Sequence, residues 1–159
     1  KEELNMATFD KYTTGLHNVG SYQSSGHPFI TGSAHSAANK VHMVEFPSVS
    51  RSFTVINTAA ETAAVRVHFQ SGSGVTALTA PGLGGEQTIA NTADVIAGSH
   101  FITVDAGASV TMDVKCHQFY VSTETADTSY QVFAELTNIS TTRMYDLTGS
   151  GITNWAITI

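Results

Sequence analysis

The stretch Val65-Arg66-Val67-His68-Phe69-Gln70 alternates apolar and polar residues, and Val110-Thr111-Met112-Asp113-Val114-Lys115 repeats the pattern. A period of two is typical of β-strands that have one buried and one solvated face. No segment of useful length carries apolar residues at helical spacing. The chain is therefore predicted to be all-β, and its function is to be sought on its surfaces.

Strand-like segments recur from Lys40 onwards. The first, 41–46, ends before Pro47, which cannot donate a hydrogen bond inside a sheet and so predicts a corner or an edge. The other predicted strands are 49–56, 63–70, 100–105, 109–115, 117–122, 129–137 and 155–159. About eight short strands with turns at this spacing predict an antiparallel two-sheet β-sandwich of jelly-roll type.

Two segments differ from these strands. Residues 1–39 are rich in Gly, Ser and Thr and have few branched apolar side chains, which predicts an extended N-terminal arm before a β-sandwich domain at 40–159. Two interpretations of the arm stay open: it binds a partner, or it lies over its own domain. Residues 71–98 are rich in Gly and Ala, and a connection of this length predicts an exposed, functional loop.

The composition limits the classes of function. Only 13% of the 159 residues are charged, about half the usual share of roughly a quarter, which favours packing against neighbouring proteins. The net charge is −6 with seven Lys and Arg, so no nucleic-acid partner is expected, because backbone binding requires clustered cations. No apolar run reaches transmembrane length, so no membrane partner is expected either.

Catalytic, cofactor and metal sites are not predicted. Cys116 is the single cysteine, and a buried strand residue is favoured over a thiol activated by His117. The seven histidines lack the spacing of a metal site on one strand face, although pairing across strands stays open. There is no Gly-x-Ser-x-Gly elbow, and Glu45, Asp113 and Glu135 are interpreted as solvated strand residues rather than paired catalytic acids. The chain is therefore predicted not to be an enzyme.

Arginine and aromatic side chains are common anchors of protein interfaces. The alternative interpretation of each aromatic candidate is a place in the core, and that of the arginine is an ordinary solvated or intrachain contact. The interface candidates are Tyr12, Tyr22, Phe29, Arg143, Tyr145 and Trp155.

Two segments resemble a known family. Residues 20–33, Gly-Ser-Tyr-Gln-Ser-Ser-Gly-His-Pro-Phe-Ile-Thr-Gly-Ser, and residues 133–139, Phe-Ala-Glu-Leu-Thr-Asn-Ile, continued through 143–145 and 147–151, are similar to small virion structural proteins of marine tailed phages, notably those infecting cyanobacteria. The resemblance implies a structural component of the particle, a decoration or cement protein of the capsid, without catalytic residues. The segment 71–98 is longer than expected for that family.

The expected function is thus that of a non-enzymatic virion protein. We expect a homo-oligomer, a trimer, that binds the outer surface of the assembled head, contacts the major capsid protein through the arm and exposes the 71–98 loop. A second hypothesis, from another class, is a carbohydrate-binding or adhesion module of a tail or fibre. In that case Trp155, Tyr120 and Tyr130 would stack on sugar rings, although buried strand aromatics are the simpler interpretation of these residues.

Overall fold

A computed structural model of the chain describes residues 15–16, 19–22, 27–60, 62–69, 86–89 and 94–144. About half of these residues form strands, in two antiparallel sheets that pack face to face. The predicted all-β sandwich is therefore confirmed. The predicted strand at 155–159 lies outside the described residues.

The first sheet has four strands in the order β1-β9-β3-β7. These are β1 His27–His35, β3 Ser50–Asn57, β7 Ser109–Met112 and β9 Thr128–Leu136. All nine residues of β1 pair with β9 in one uninterrupted register. The two nine-residue strands thus form the longest ladder between described strands.

The second sheet has five strands in the order β5-β2-β8-β4-β6. These are β2 Lys40–Glu45, β4 Val65–His68, β5 Gln87–Thr88, β6 Ile102–Val104 and β8 Gln118–Thr123. Apart from the two-residue β5, the strand order is that of a jelly roll, since β1 to β4 alternate between the sheets and the last strands return beside the first ones.

Short helical segments complete the described chain. An α-helical turn, α1, spans Asp94–Ala97, and 3-10 turns span Val19–Tyr22 and Thr141–Arg143. The last of these is capped by Ser140, whose Oγ accepts a hydrogen bond from the backbone N–H of Thr142 at 3.4 Å. Ser, Thr, Asp and Asn are the residues that favour this capping position.

Part of the predicted arm belongs to the sandwich. Because His27–His35 pairs with β9 over its whole length, the predicted domain start at residue 40 is wrong, and the sandwich includes this strand. For these nine residues the interpretation that the segment lies on its own domain is correct. Its small polar composition hid the strand signal, because outward-facing residues of an edge strand are solvated. Residues 1–14 lie outside the described part.

One strand also breaks the predicted alternation. The pairing of β3 with β9 shifts between Ser50 and Ser52, so that Arg51 is bulged and exposed. The alternation predicted Arg51 on the face of Phe53, which is buried. A bulge adds one residue to one strand and so reverses the face of the residues before it.

Aromatic rings fill the core between the two sheets. Phe53 of β3 stacks on Phe119 of β8 with ring centroids 4.3 Å apart, and Phe46 lies 5.6 Å from Phe119. Phe69 meets Phe53 edge-on at 6.2 Å. Stacked and edge-to-face rings add to the stabilisation that burial alone provides, so this cluster holds the sheets together.

A second apolar cluster covers the outer face of the second sheet. Val41, Met43 and Tyr120 pack there against Ile89 and Val95 from the connection between β4 and β6. The prediction of a wholly exposed loop at 71–98 is therefore wrong where the structure describes it, because Ile89 and Val95 are buried. Residues 71–85 and 90–93 lie outside the described residues.

The same covering explains the position of His68. Its alternation predicted a solvated side chain, but His68 is buried, stacks on Tyr120 with centroids 5.7 Å apart, and has its Nε2 2.9 Å from Ser122 Oγ. The prediction of one wet face is thus wrong for β4, which is buried on both faces like its neighbours β2 and β8.

Asn57, at the end of β3, joins three chain segments by hydrogen bonds. Its Nδ2 donates to the carbonyl oxygens of Ala63 at 2.8 Å and Val104 at 2.9 Å, and its Oδ1 accepts from the N–H of Ala59 at 2.9 Å.

We expect Asn57→Leu to lower the free energy of unfolding by about 1–3 kcal/mol, because buried backbone groups lose their partners. Urea denaturation measures this. Asn138→Leu, at an exposed site, should change it by less than about 0.5 kcal/mol, and equal losses would contradict the assignment.

Candidate interaction surface

The outer face of the first sheet is open to solvent, in contrast to that of the second sheet. We call it the open face: the outward side chains of β1, β9, β3 and β7. Its central row runs from Ile30 through Phe133 and Thr54 to Thr111, which lie opposite one another in the strand registers. Ile30 is 76% exposed and Phe133 is 40% exposed. Two large apolar side chains thus meet on a solvated sheet.

Small polar groups surround this apolar pair. Thr54 Oγ1 and Thr111 Oγ1 lie 2.8 Å apart. Towards one end, Ser52 Oγ donates to Glu135 Oε2 at 3.3 Å, and Arg51 Nη1 lies 3.5 Å from the same oxygen. Arg51 and Glu135 carry opposite charges, so the pair adds no net charge to the open face. Exposed pairs of this kind add about 0–1 kcal/mol to stability. The face therefore carries little net charge.

A pair of histidines is buried at the end of the sandwich where β1 leads into β2. The rings of His35 and His42 stack with centroids 4.3 Å apart. His35 Nε2 lies 3.1 Å from the carbonyl oxygen of Val121, so it carries a proton and donates, and His42 Nδ1 lies 3.0 Å from the Tyr130 hydroxyl. The two sheets are thus joined here by polar contacts.

Burial controls the pKa values of this pair. Burial and, to a smaller extent, the neighbouring His35 lower the pKa of His42 to about 4, while the Glu86 carboxylate acts in the opposite direction. Burial also lowers the pKa of His35, against the two carbonyl oxygens that face its ring nitrogens. Glu86 accepts hydrogen bonds from the N–H and Oγ of Ser36, in the turn between β1 and β2. At neutral pH both imidazoles are therefore uncharged.

Cys116 is a structural residue. Burial raises the pKa of the thiol to about 11, against a smaller opposite effect of the Ser50 hydroxyl, whose Oγ lies 3.3 Å from Sγ. A thiol with this pKa is almost fully protonated at pH 7 and reacts slowly. Cys116 is buried, as expected, but it lies in the connection between β7 and β8 and not in a strand. The activated thiol does not fit this environment.

The described interface candidates lie in separate environments. Phe29 is half-buried and meets Phe46 edge-on at 5.3 Å, so part of its ring belongs to the core. Arg143 is exposed on the 3-10 turn Thr141–Arg143, beside Gly15. Tyr22 ends the turn Val19–Tyr22, and its side chain is not described. The candidates outside the described residues are Tyr12, Tyr145 and Trp155.

Sequence reasoning missed the apolar pair at the centre of the open face. The alternation of β9 places Phe133 opposite the apolar face formed by Tyr130, Val132 and Ala134, and an aromatic residue among polar ones was the available signal. Ile30 had no such signal, because β1 was interpreted as an arm. The histidine pair was also missed, since its members are brought together by pairing across strands.

Two kinds of feature are missing from the described part of the chain. It contains no group of three or more His, Cys, Asp or Glu residues arranged to hold a metal ion. Within it, no helix has the length and apolar character that a membrane span requires.

No family model, curated protein or solved structure matches the chain at a significant level. Its function is therefore argued from its own residues.

Proposed function

We propose that the protein is a non-enzymatic structural component of a phage virion that decorates the outer surface of the assembled head. The observation that carries the proposal is the open face, a weakly charged sheet surface with Ile30 and Phe133 exposed at its centre. Exposed apolar side chains that adjoin one another mark sites of protein interaction. The jelly roll is a fold of many viral capsid proteins, which is support by analogy only.

Two further observations support this role. The segments 20–33 and 133–139 resemble small virion structural proteins of marine tailed phages, and they include Ile30 and Phe133. The low share of charged residues, 13%, suits packing against neighbouring subunits. In the proposed complex the open face contacts the major capsid protein, and residues 1–14 extend the contact. Because the protein binds the assembled shell and not its free subunits, binding makes dissociation of the shell less favourable.

A reconstruction of the source particle by electron cryomicroscopy tests the location. Density for this sandwich at repeated positions on the head is the expected result. Density confined to the tail, or none, would overturn the proposal.

The contact itself is tested by co-sedimentation of purified heads with the full chain and with Phe133→Asp. We expect this variant to bind heads at least about tenfold more weakly, as for a central interface residue.

The arm is tested by a separate deletion. Removal of residues 1–14 keeps β1 in the sheet, whereas a deletion that ended at Asn39 would remove β1 and with it one strand of the first sheet. If the deleted protein bound heads as tightly as the full chain, the arm would have no part in the contact. The open face would then carry the binding alone.

The adhesion hypothesis loses two of its residues. Tyr120 and Tyr130 are buried, so neither ring is available to stack on a sugar, and Trp155 lies outside the described residues. Binding to a glycan array that is lost in Trp155→Ala would nevertheless favour adhesion over decoration.

A further inference from the structure

The four sheet edges of the described sandwich differ in length. The edge strands are β1 and β7 in the first sheet and β5 and β6 in the second sheet. β5, β6 and β7 have two, three and four residues, but β1 has nine. Proteins commonly keep edge strands short, because their unpaired backbone groups form a template for another strand. β1 is the exception in this sandwich.

β1 also lacks the usual protection of an edge. Its seven residues from Pro28 to Ala34 carry no charge, and its register with β9 contains no bulge. Pro28 lies at one end, where a missing N–H removes one hydrogen bond at most. In an antiparallel strand about half of the backbone N–H and C=O groups point to each edge. Among the described residues, no strand pairs with the backbone groups on the outer edge of β1.

We propose that the outer edge of β1 pairs antiparallel with β1 of a second copy of this chain. The contact has two-fold symmetry, with Thr31, the middle residue of the strand, opposite Thr31 of the second copy. It joins the two four-stranded sheets into one continuous sheet and satisfies the outer backbone groups of both β1 strands. An antiparallel pairing of identical strands is isologous, so each copy contributes the same residues and the contact closes on itself.

The side chains in this register are complementary. Ile30 lies opposite Gly32 of the second copy, and both residues belong to the outer side of the sheet. A Cβ at position 32 would lie only 3.0 Å from the Tyr130 carbonyl oxygen and 3.3 Å from Gln131 Cγ, so a side chain there would be crowded. Glycine therefore leaves free surface on which the exposed Ile30 of the other copy packs. A large apolar residue beside a small one is a favourable cross-strand arrangement.

The uncharged edge of β1 is suited to pairing with a second copy of the same strand. Two chains of net charge −6 repel each other, but the strands that meet place no like charges opposite one another. A charged partner strand would gain nothing from this edge, because residues 28–34 offer it no counter-charge. The pairing gives a dimer, or an even-numbered assembly, instead of the expected trimer. It does not depend on the proposed virion role.

Sedimentation equilibrium of the full chain tests the proposal. We expect a dimer at micromolar concentration. Ile30→Lys should weaken it at least about tenfold, because two charges enter the contact and two apolar contacts are lost. The matched control is Ile102→Lys, at a 47% exposed site on the short edge strand β6, which should leave the dissociation constant unchanged. Circular dichroism verifies that both variants are folded.

Cysteine cross-linking tests the register. Residues directly opposite in an antiparallel pair have Cα atoms about 4.5–5.5 Å apart, within disulfide range. Thr31→Cys should therefore form a covalent dimer with oxidised glutathione, whereas Ser33→Cys should not, because its two copies would lie about 13 Å apart along the strands. Cys116 is buried and does not compete.

Other occupants of the edge give different results. A trimer, or a dimer that Ile30→Lys does not weaken and Thr31→Cys does not cross-link, would place the self-contact elsewhere and overturn the proposal. A monomer would overturn it as well. Hydrogen exchange then identifies the occupant: protected β1 amides in the monomer indicate another segment of the same chain, and protection that appears only on purified heads indicates a virion protein.

Discussion

Phe53→Ala is expected to lower the free energy of unfolding by about 3–5 kcal/mol, as is usual for loss of a buried aromatic side chain. Phe53 is fully buried, and its ring stacks on Phe119 and contacts Phe46 and Phe69. Removing it opens a cavity between the two sheets, where phenyl rings of both sheets stack on each other. Urea denaturation followed by circular dichroism measures the loss.

Phe133→Ala is the matched control for this prediction. It removes the same side chain from the opposite face of the neighbouring strand, where Phe133 is partly exposed. We expect a smaller loss of about 1–2 kcal/mol, since the ring stays 40% exposed and its removal leaves no cavity between the sheets. If the two substitutions had equal effects, the assignment of an inner and an open face to the first sheet would be contradicted.

The same comparison separates stability from binding. Phe53 lies inside the sandwich and contacts no partner in the proposed complex, whereas Phe133 lies on the open face. Phe133→Ala is therefore expected to weaken binding to heads while leaving the fold intact. Weaker binding to heads without loss of the fold would support the open face as the contact surface.

The fold was predictable because the strands of the first sheet have one buried face and one face that is largely exposed. Alternation placed Val65 and Val67 in the core, and 41–46, 49–56 and 129–137 overlap observed strands. The strand that was missed, β1, lies at an edge, where apolar residues are few. The strand with the wrong face, β4, is covered on its outer side by residues from a distant connection. The alternation along one strand does not indicate where that strand lies in a sheet or whether another segment packs on its outer face.

The site was less predictable than the fold. Ile30 and Phe133 are about a hundred residues apart, and only the register of β1 with β9 makes them neighbours. His35 and His42 meet across the two sheets. Contacts of this kind depend on strand order and register, which the residue pattern of a single sequence does not determine.

Acid is expected to destabilise the protein through the histidine pair. In the unfolded chain a histidine has a pKa of about 6.5, whereas burial lowers the pKa of His42 to about 4 in the fold. Above pH 6.5 both states are neutral and the pair contributes no pH dependence. As the pH falls towards 4, the unfolded chain binds a proton that the folded chain does not, so stability is lost. One group with this shift accounts for about 2–3 kcal/mol, and His35 acts in the same direction.

The variant His42→Asn identifies the source of this loss. It should lower stability at every pH, because Tyr130 loses its partner, but it should flatten the dependence of unfolding free energy on pH between 6.5 and 4. His27→Asn, which replaces an exposed histidine of β1, is the matched control. An unchanged slope in His42→Asn would assign the titration to another group.

His35 ends β1 and His42 lies in β2, so protonation of the pair weakens the contact between β1 and the second sheet. As the pH falls, the amides of β1 should therefore lose protection from hydrogen exchange before those of β8.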